Sequence, residues 1–141
     1  VTPQIDAEVI DARLRELSHR LRRVAAKKPA TLRHLVEDED LQDIVSRNLE
    51  LAIQACIDIA MHLCGAYEVV PESSGEAFTT LAERNLIQRA LAQRLRRAVG
   101  FRNVLVHEYV EIDWTIVQRA IERDTADLAA FGKAVLKLIE D

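Results

Sequence analysis

Glycine and proline are scarce in this chain, four and three among 141 residues. That scarcity disfavours folds that need many tight turns, the all-β and α/β sheets above all. No glycine-rich phosphate loop, Ser-His-Asp order or nucleophilic-cysteine signature occurs. Cysteine stands only at Cys56 and Cys64, a spacing that fits neither a CxxC pair nor a zinc framework. Two buried thiols on one helix are the expectation, and they suit a reducing compartment. No apolar run approaches the ~18 residues of a membrane span and no secretory h-region opens the chain, so a cytosolic protein without membrane association is expected.

What remains is rich in good helix formers, Ala, Leu, Arg, Glu and Gln. The expected fold is all-α: an up-and-down bundle of four long helices plus one short helix, in a single domain over residues 1–141. Thr2 and Pro3 read as the start of a first helix to about residue 27, with its apolar face at Ile5, Val9, Ile10, Leu14, Leu17, Leu21 and Val24. Ala30 to Glu37 reads as a linker. Asp38, Glu39 and Asp40 open a long second helix whose apolar stripe broadens from Leu51, as a central bundle helix requires; Gly65 and Pro71 close it. Ser73 with Glu76 predicts a capped short helix to about Arg84, Asn85 with Gln88 a second such start, and Asp113 the cap of the last helix.

The net charge of −4 argues against indiscriminate nucleic-acid binding, but its distribution is uneven. Arg89, Arg94, Arg96 and Arg97 lie between Arg84 and Arg102 with no acid among them, while acids gather at Glu37 to Asp43 and after His107. Such asymmetry allows a local phosphate-attracting face, and equally two solvated helix faces.

The densest cluster of chemical groups runs from Gly100 to Tyr109: Arg102 and Asn103, an apolar triplet, His107, then Tyr109. On an ideal helix Arg102 and Tyr109 fall about 20° apart and Asn103 and His107 about 40° apart, whereas Arg102 and His107 are roughly 140° apart. Convergence of Arg102 with His107 therefore needs the long Arg side chain to swing, the helix to end early, or a second copy of the chain. The spacing does not choose among these. His107-Glu108-x-x-Glu111 has the outline of a zinc-protease helix, but Glu111 stands where the second His is required, and His19, His34 and His62 lie on other segments; no metal or other cofactor is expected.

Arg102 to Tyr109 resembles the R-x4-6-H motif of HEPN ribonucleases, in the R-x4-H-x-Y form of HepT-like members. Arg47-Asn48-Leu49 with Ala52, Ile53, Cys56, Asp58 and Ala60 resembles that family's long second helix, and Gly100-Phe101-Arg102-Asn103 its motif lead-in. The resemblance implies a homodimer that cuts RNA without a metal, with two Arg and two His around one cleft. His107 would serve as general acid or base, and Arg102 would hold the scissile phosphate. Asn103 would position His107 or the phosphate. The family's partner is a minimal nucleotidyltransferase (MNT) antitoxin that adenylylates the motif tyrosine, here Tyr109, and an added anion there would repel RNA. Taken alone, Arg102 could be a salt-bridge residue, His107 a packed histidine and Tyr109 a residue with a wet hydroxyl. The alternative function is a catalytically silent helical scaffold that binds a nucleotidyltransferase or a nucleotide.

Overall fold

The computed structural model describes residues 4–107 and 111–140, so the expected cap at Thr2–Pro3 and the predicted site residue Tyr109 lie outside the described residues. Among those described, every regular element is helical: α1 (Ala7–Ala26), α2 (Leu32–Glu37), α3 (Glu39–Ala66), α4 (Ser74–Glu83), α5 (Arg89–His107), α6 (Trp114–Arg119) and α7 (Thr125–Glu140), with a π turn at Ala120–Asp124 joining the last two. The four long helical runs and the short one stand as expected, since α6, the π turn and α7 are continuous. Residues 30–37 are a correction: rather than a plain linker they hold α2, whose first turn is capped by Thr31 Oγ1 accepting from the His34 N–H.

Helix ends show where local signals were misleading. Residues 4–6 are not helical, and α1 begins at Ala7 because the Asp6 carboxylate accepts from the N–H groups of Glu8 and Val9. Gly65 does not close α3, which runs on to Ala66. Glu68 instead takes the left-handed conformation at φ 61°, while Val69 N–H donates to Cys64 O and Glu68 N–H to Gly65 O. Asn85 likewise does not start a helix. It has φ 61° and ends α4 with the same pair of bonds, Leu86 N–H to Leu81 O and Asn85 N–H to Ala82 O. Asn tolerates that conformation better than most residues with a Cβ, so its role as a stop prevailed over its role as a cap. Ser73 and Asp113 cap as expected, and Asp38, read only as one of three acids at the start of α3, is its cap, accepting from the Leu41 N–H. In the Ser73 box only half forms, because the Glu76 carboxylate is taken by Arg96 of α5.

α3 is the central element and touches α1, α2, α4, α5 and α7. Ala52, Ile53, Cys56, Ile59, Ala60, Leu63 and Cys64 are fully buried or nearly so. By length and composition α3 also passes as a membrane span, contrary to the expectation that no segment would; a core helix apolar on several sides has the same composition. Cys56 and Cys64 are free and buried as expected, and burial pushes both thiols up. A second apolar cluster, Val24, Leu35, Val45, Leu49, Val117 and Ile121, ties α2 and α6 to the other end of α3. Phe101 packs against both clusters, which fixes the C-terminal half of α5 on the body of the bundle.

Candidate active site

α5 stays α-helical through Arg102 and on to His107, which removes an early helix end from the possibilities. The two residues therefore keep the angular separation of an ideal helix, roughly 140°. They also differ in environment, Arg102 half-buried and His107 exposed.

Arg102 lies against α3. One terminal nitrogen of its guanidinium donates to Gln54 Oε1 at 2.6 Å and the other to Asn103 Oδ1 at 2.9 Å. Gln54 in turn donates through Nε2 to Asp58 Oδ1 at 2.8 Å, and the other oxygen of Asp58 faces Arg13 of α1 at 3.8 Å. Arg13, Asp58, Gln54, Arg102 and Asn103 thus form one polar chain across three helices. The Arg102 Nε–H is buried and has no partner among the described residues. An unmet buried donor costs about 1–3 kcal/mol, the kind of cost native structures keep at functional positions.

The predicted residues are thus only partly brought together. Arg102 and Asn103 are joined, and Asn103 holds Arg102 rather than His107. His107 sits alone as the last residue of α5. No group of three or more His, Cys, Asp or Glu capable of holding a metal occurs among the described residues. Gln54 and Asp58 complete the Arg102 setting. Gln54 was not singled out from the sequence, although a signal existed: within the apolar run Leu51–Leu63 the only polar residues are Gln54, Asp58 and His62, four apart and so on one helix face. His62 uses that face as well, its Nε2 accepting from the Asp6 N–H.

On α1, Arg15 pairs with Asp11, Arg20 with Glu16, and Arg13 with Asp58. On α5, Arg94 pairs with Asp127 and Arg96 with Glu76 and Thr79, clamping the helix to α7 and α4. Arg97 forms no ion pair or hydrogen bond among the described residues. Chemically, the arrangement offers a guanidinium aimed and backed by two amides, plus an accessible imidazole on the same helix.

The sequence model of the family described as "Ribonuclease HepT-like" matches residues 10–135. The chain is 40% identical over 96 residues to the mRNA nuclease HepT of Shewanella oneidensis, covering 67% of this chain and 72% of that one. It is 30% identical over 118 residues to the tRNA nuclease HepT of Aphanizomenon flos-aquae, covering 83% and 80%. Among solved structures, the tri-AMPylated Shewanella oneidensis HEPN toxin in complex with the MNT antitoxin superposes with a TM-score of 0.86 at 30% identity, over 94% of this chain and 99% of that one. A toxin-antitoxin structure with AMP-PNP gives 0.85 at 30% identity, over 92% and 98%.

Proposed function

The chain belongs to the HepT-like ribonuclease family, and from that premise we propose that it is a metal-independent endoribonuclease, the toxin of a toxin-antitoxin pair, working as a homodimer through Arg102 and His107. The observation that carries the reading is the unbroken helix between these two residues. Within one protomer they diverge by roughly 140°, and Arg102 is held back on α3 by Gln54. A second α5, brought up against the first, supplies the convergence that one copy lacks.

In that cleft the 2′-hydroxyl of the substrate attacks the adjacent phosphorus. An imidazole of His107 takes the hydroxyl proton, the bond from phosphorus to the 5′ oxygen breaks, and an imidazole returns a proton to that oxygen. The products are a 2′,3′-cyclic phosphate and a 5′-hydroxyl. Arg102 faces the charge that grows on the phosphoryl oxygens, where a preoriented donor is most effective. Need for the 2′-hydroxyl makes the reaction one of RNA rather than DNA. Asn103, by its bond to Arg102, serves the orientation of the guanidinium.

The partner in this reading is an MNT-type nucleotidyltransferase that moves AMP from ATP onto the Tyr109 phenol oxygen and releases pyrophosphate. The added anion lies two residues beyond His107 and repels the RNA backbone. Support comes from the AMPylated toxin in the Shewanella oneidensis complex. The deciding experiment incubates purified chain with RNA in EDTA. Wild type cuts and leaves cyclic phosphate ends, while Arg102→Ala and His107→Ala each lose at least about a hundredfold, as loss of an acid-base or charge-stabilising group does. Intact RNA with the wild-type chain, or cutting that survives in both variants, sinks the proposal.

A further inference from the structure

On the side of α5 turned away from Arg102 lies a groove of about 260 Å³ lined by Gly100, Val104 and Leu105 of α5, by Ile112 and Asp113 just before α6, and by Ile116 within it. Val104 and Ile116 are large apolar side chains left almost half exposed, at 46% and 47%. Gly100 is unexplained by the fold itself. A glycine inside a helix costs roughly 0.5–1 kcal/mol against alanine, and a Cβ built there meets nothing within 4 Å. No intramolecular packing calls for it.

No basic residue lines the groove itself, but three arginines stand further along the two helices that border it. Arg97 lies three residues before Gly100 and seven before Val104, so all three share one stripe of α5. Arg119 and Arg123 follow Ile116 by three and seven on the opposing strip of α6 and the π turn. All three arginines are exposed, and none has an ion-pair or hydrogen-bond partner among the described residues. They gather around the half-buried Asp124, whose carboxyl burial and Asp127 push up against the opposing field of Arg97, Arg119 and Arg123. The neighbouring acids are otherwise occupied: Asp127 by Arg94, Glu122 by Gln118, and Asp113 by its cap to the Thr115 N–H. Glu111, also on the groove, is exposed. His107 is ten residues from Arg97 along the same helix, about 15 Å.

Resting on the ribonuclease reading above, we propose that this groove is a single-strand RNA subsite: Arg97, Arg119 and Arg123 hold backbone phosphates a few nucleotides from the scissile bond, and an unpaired base lies on the apolar floor at Gly100, Val104 and Ile116. Exposed guanidiniums beside a small apolar surface are the combination that single strands require, charge for the backbone and a face for the base. Gly100 supplies the close approach that a flat base needs.

The test uses the full chain carrying His107→Ala, so that RNA is bound and not consumed, and fluorescence anisotropy of a labelled single-stranded RNA at several salt concentrations. The triple substitution Arg97→Ala, Arg119→Ala, Arg123→Ala is expected to weaken binding about tenfold or more and to lower the log-log salt slope by about 2. Gly100→Leu keeps every cation and fills the floor; it is expected to weaken binding while leaving the salt slope unchanged. Mass by light scattering and helix content by circular dichroism should stay at the parental values. The subsite is overturned if both variants bind RNA as the parent does, or if binding falls only together with loss of the dimer. It is also overturned if capture of the nucleotidyltransferase is lost with RNA binding intact. A His107-intact chain that neither cuts nor binds RNA overturns the ribonuclease reading and the subsite with it; one that cuts, with a KM untouched by the triple substitution, overturns the subsite alone.

Discussion

Arg102 of α5 donates to the side-chain oxygen of Gln54 on α3 at 2.6 Å, across 48 positions of sequence. This bond fixes the direction of the guanidinium, because Gln54 is itself held by Asp58 and Asp58 faces Arg13. A side chain with Arg's rotamer freedom is useful for charge stabilisation only when something else restricts it.

Gln54→Leu is therefore expected to cut RNA cleavage about tenfold to a hundredfold, the range for losing orientation of a catalytic group, chiefly in kcat. Gln54→Glu keeps an acceptor and should recover most of the rate. Steady-state kinetics on a short RNA decides; equal activity in Gln54→Leu and wild type removes Gln54 from the site.

Gly100→Ala is expected to raise stability by roughly 0.5–1 kcal/mol, because the added Cβ meets nothing. Gly132→Ala should gain less or lose, since its Cβ would come within 3.0 Å of Leu17 Cδ2 and Leu17 is itself buried. Urea unfolding of both variants measures the contrast, and a larger gain at Gly132 contradicts it.

Asn48 is buried at 4% exposure; its Nδ2 donates to Ile44 O and its Oδ1 accepts from Arg20. Asn48→Ala leaves the Arg20 guanidinium short of a partner and should cost about 1–3 kcal/mol. Chemical denaturation of the variant gives the number, and a change under ~0.5 kcal/mol shows that solvent replaces the bond.

Asp124 has a carboxyl pushed above its ordinary range, first by burial and then by Asp127. A raised folded-state value for an acid means that ionisation opposes folding: the contribution is unfavourable at neutral pH, and it disappears as pH falls below the ordinary carboxylate range. Asp124→Asn should accordingly move the urea midpoint upward at pH 7 and leave it unchanged near pH 3. A variant less stable than wild type at pH 7 reverses the sign and refutes the assignment.

Cys56 and Cys64 should resist a thiol reagent in the native state at pH 8 and react once the chain is unfolded in urea. Burial both blocks access and disfavours the thiolate, and Cys64 is further engaged with Ala77 O at 3.6 Å. Rapid native labelling at either position contradicts the packing described.

How far the fold was legible depended on the range of the forces involved. Ser73, Asp38 and Asp113 announced helix starts correctly because a cap is decided within four residues. Asn85 misled because the same residue type serves as a start and as a left-handed stop, and the choice rested on where α4 had to end. Glu68 gave no sign at all, since few residues with a Cβ adopt positive φ without a tertiary reason. α2 escaped notice because six residues are too few to show a period.

From sequence alone came the all-helical bundle, the centrality of the helix with the broadest apolar stripe, and the cluster of chemical groups from Gly100 to Tyr109. Each follows from periodicity and residue type along one helix, which are local properties. Only the packed structure decided that Arg102 turns inward to Gln54 while His107 remains outside, and that Arg97, Arg119 and Arg123 act together on Asp124. Those relations join residues on different helices, and no spacing along the chain encodes the distance between them once the core has set how the helices lie.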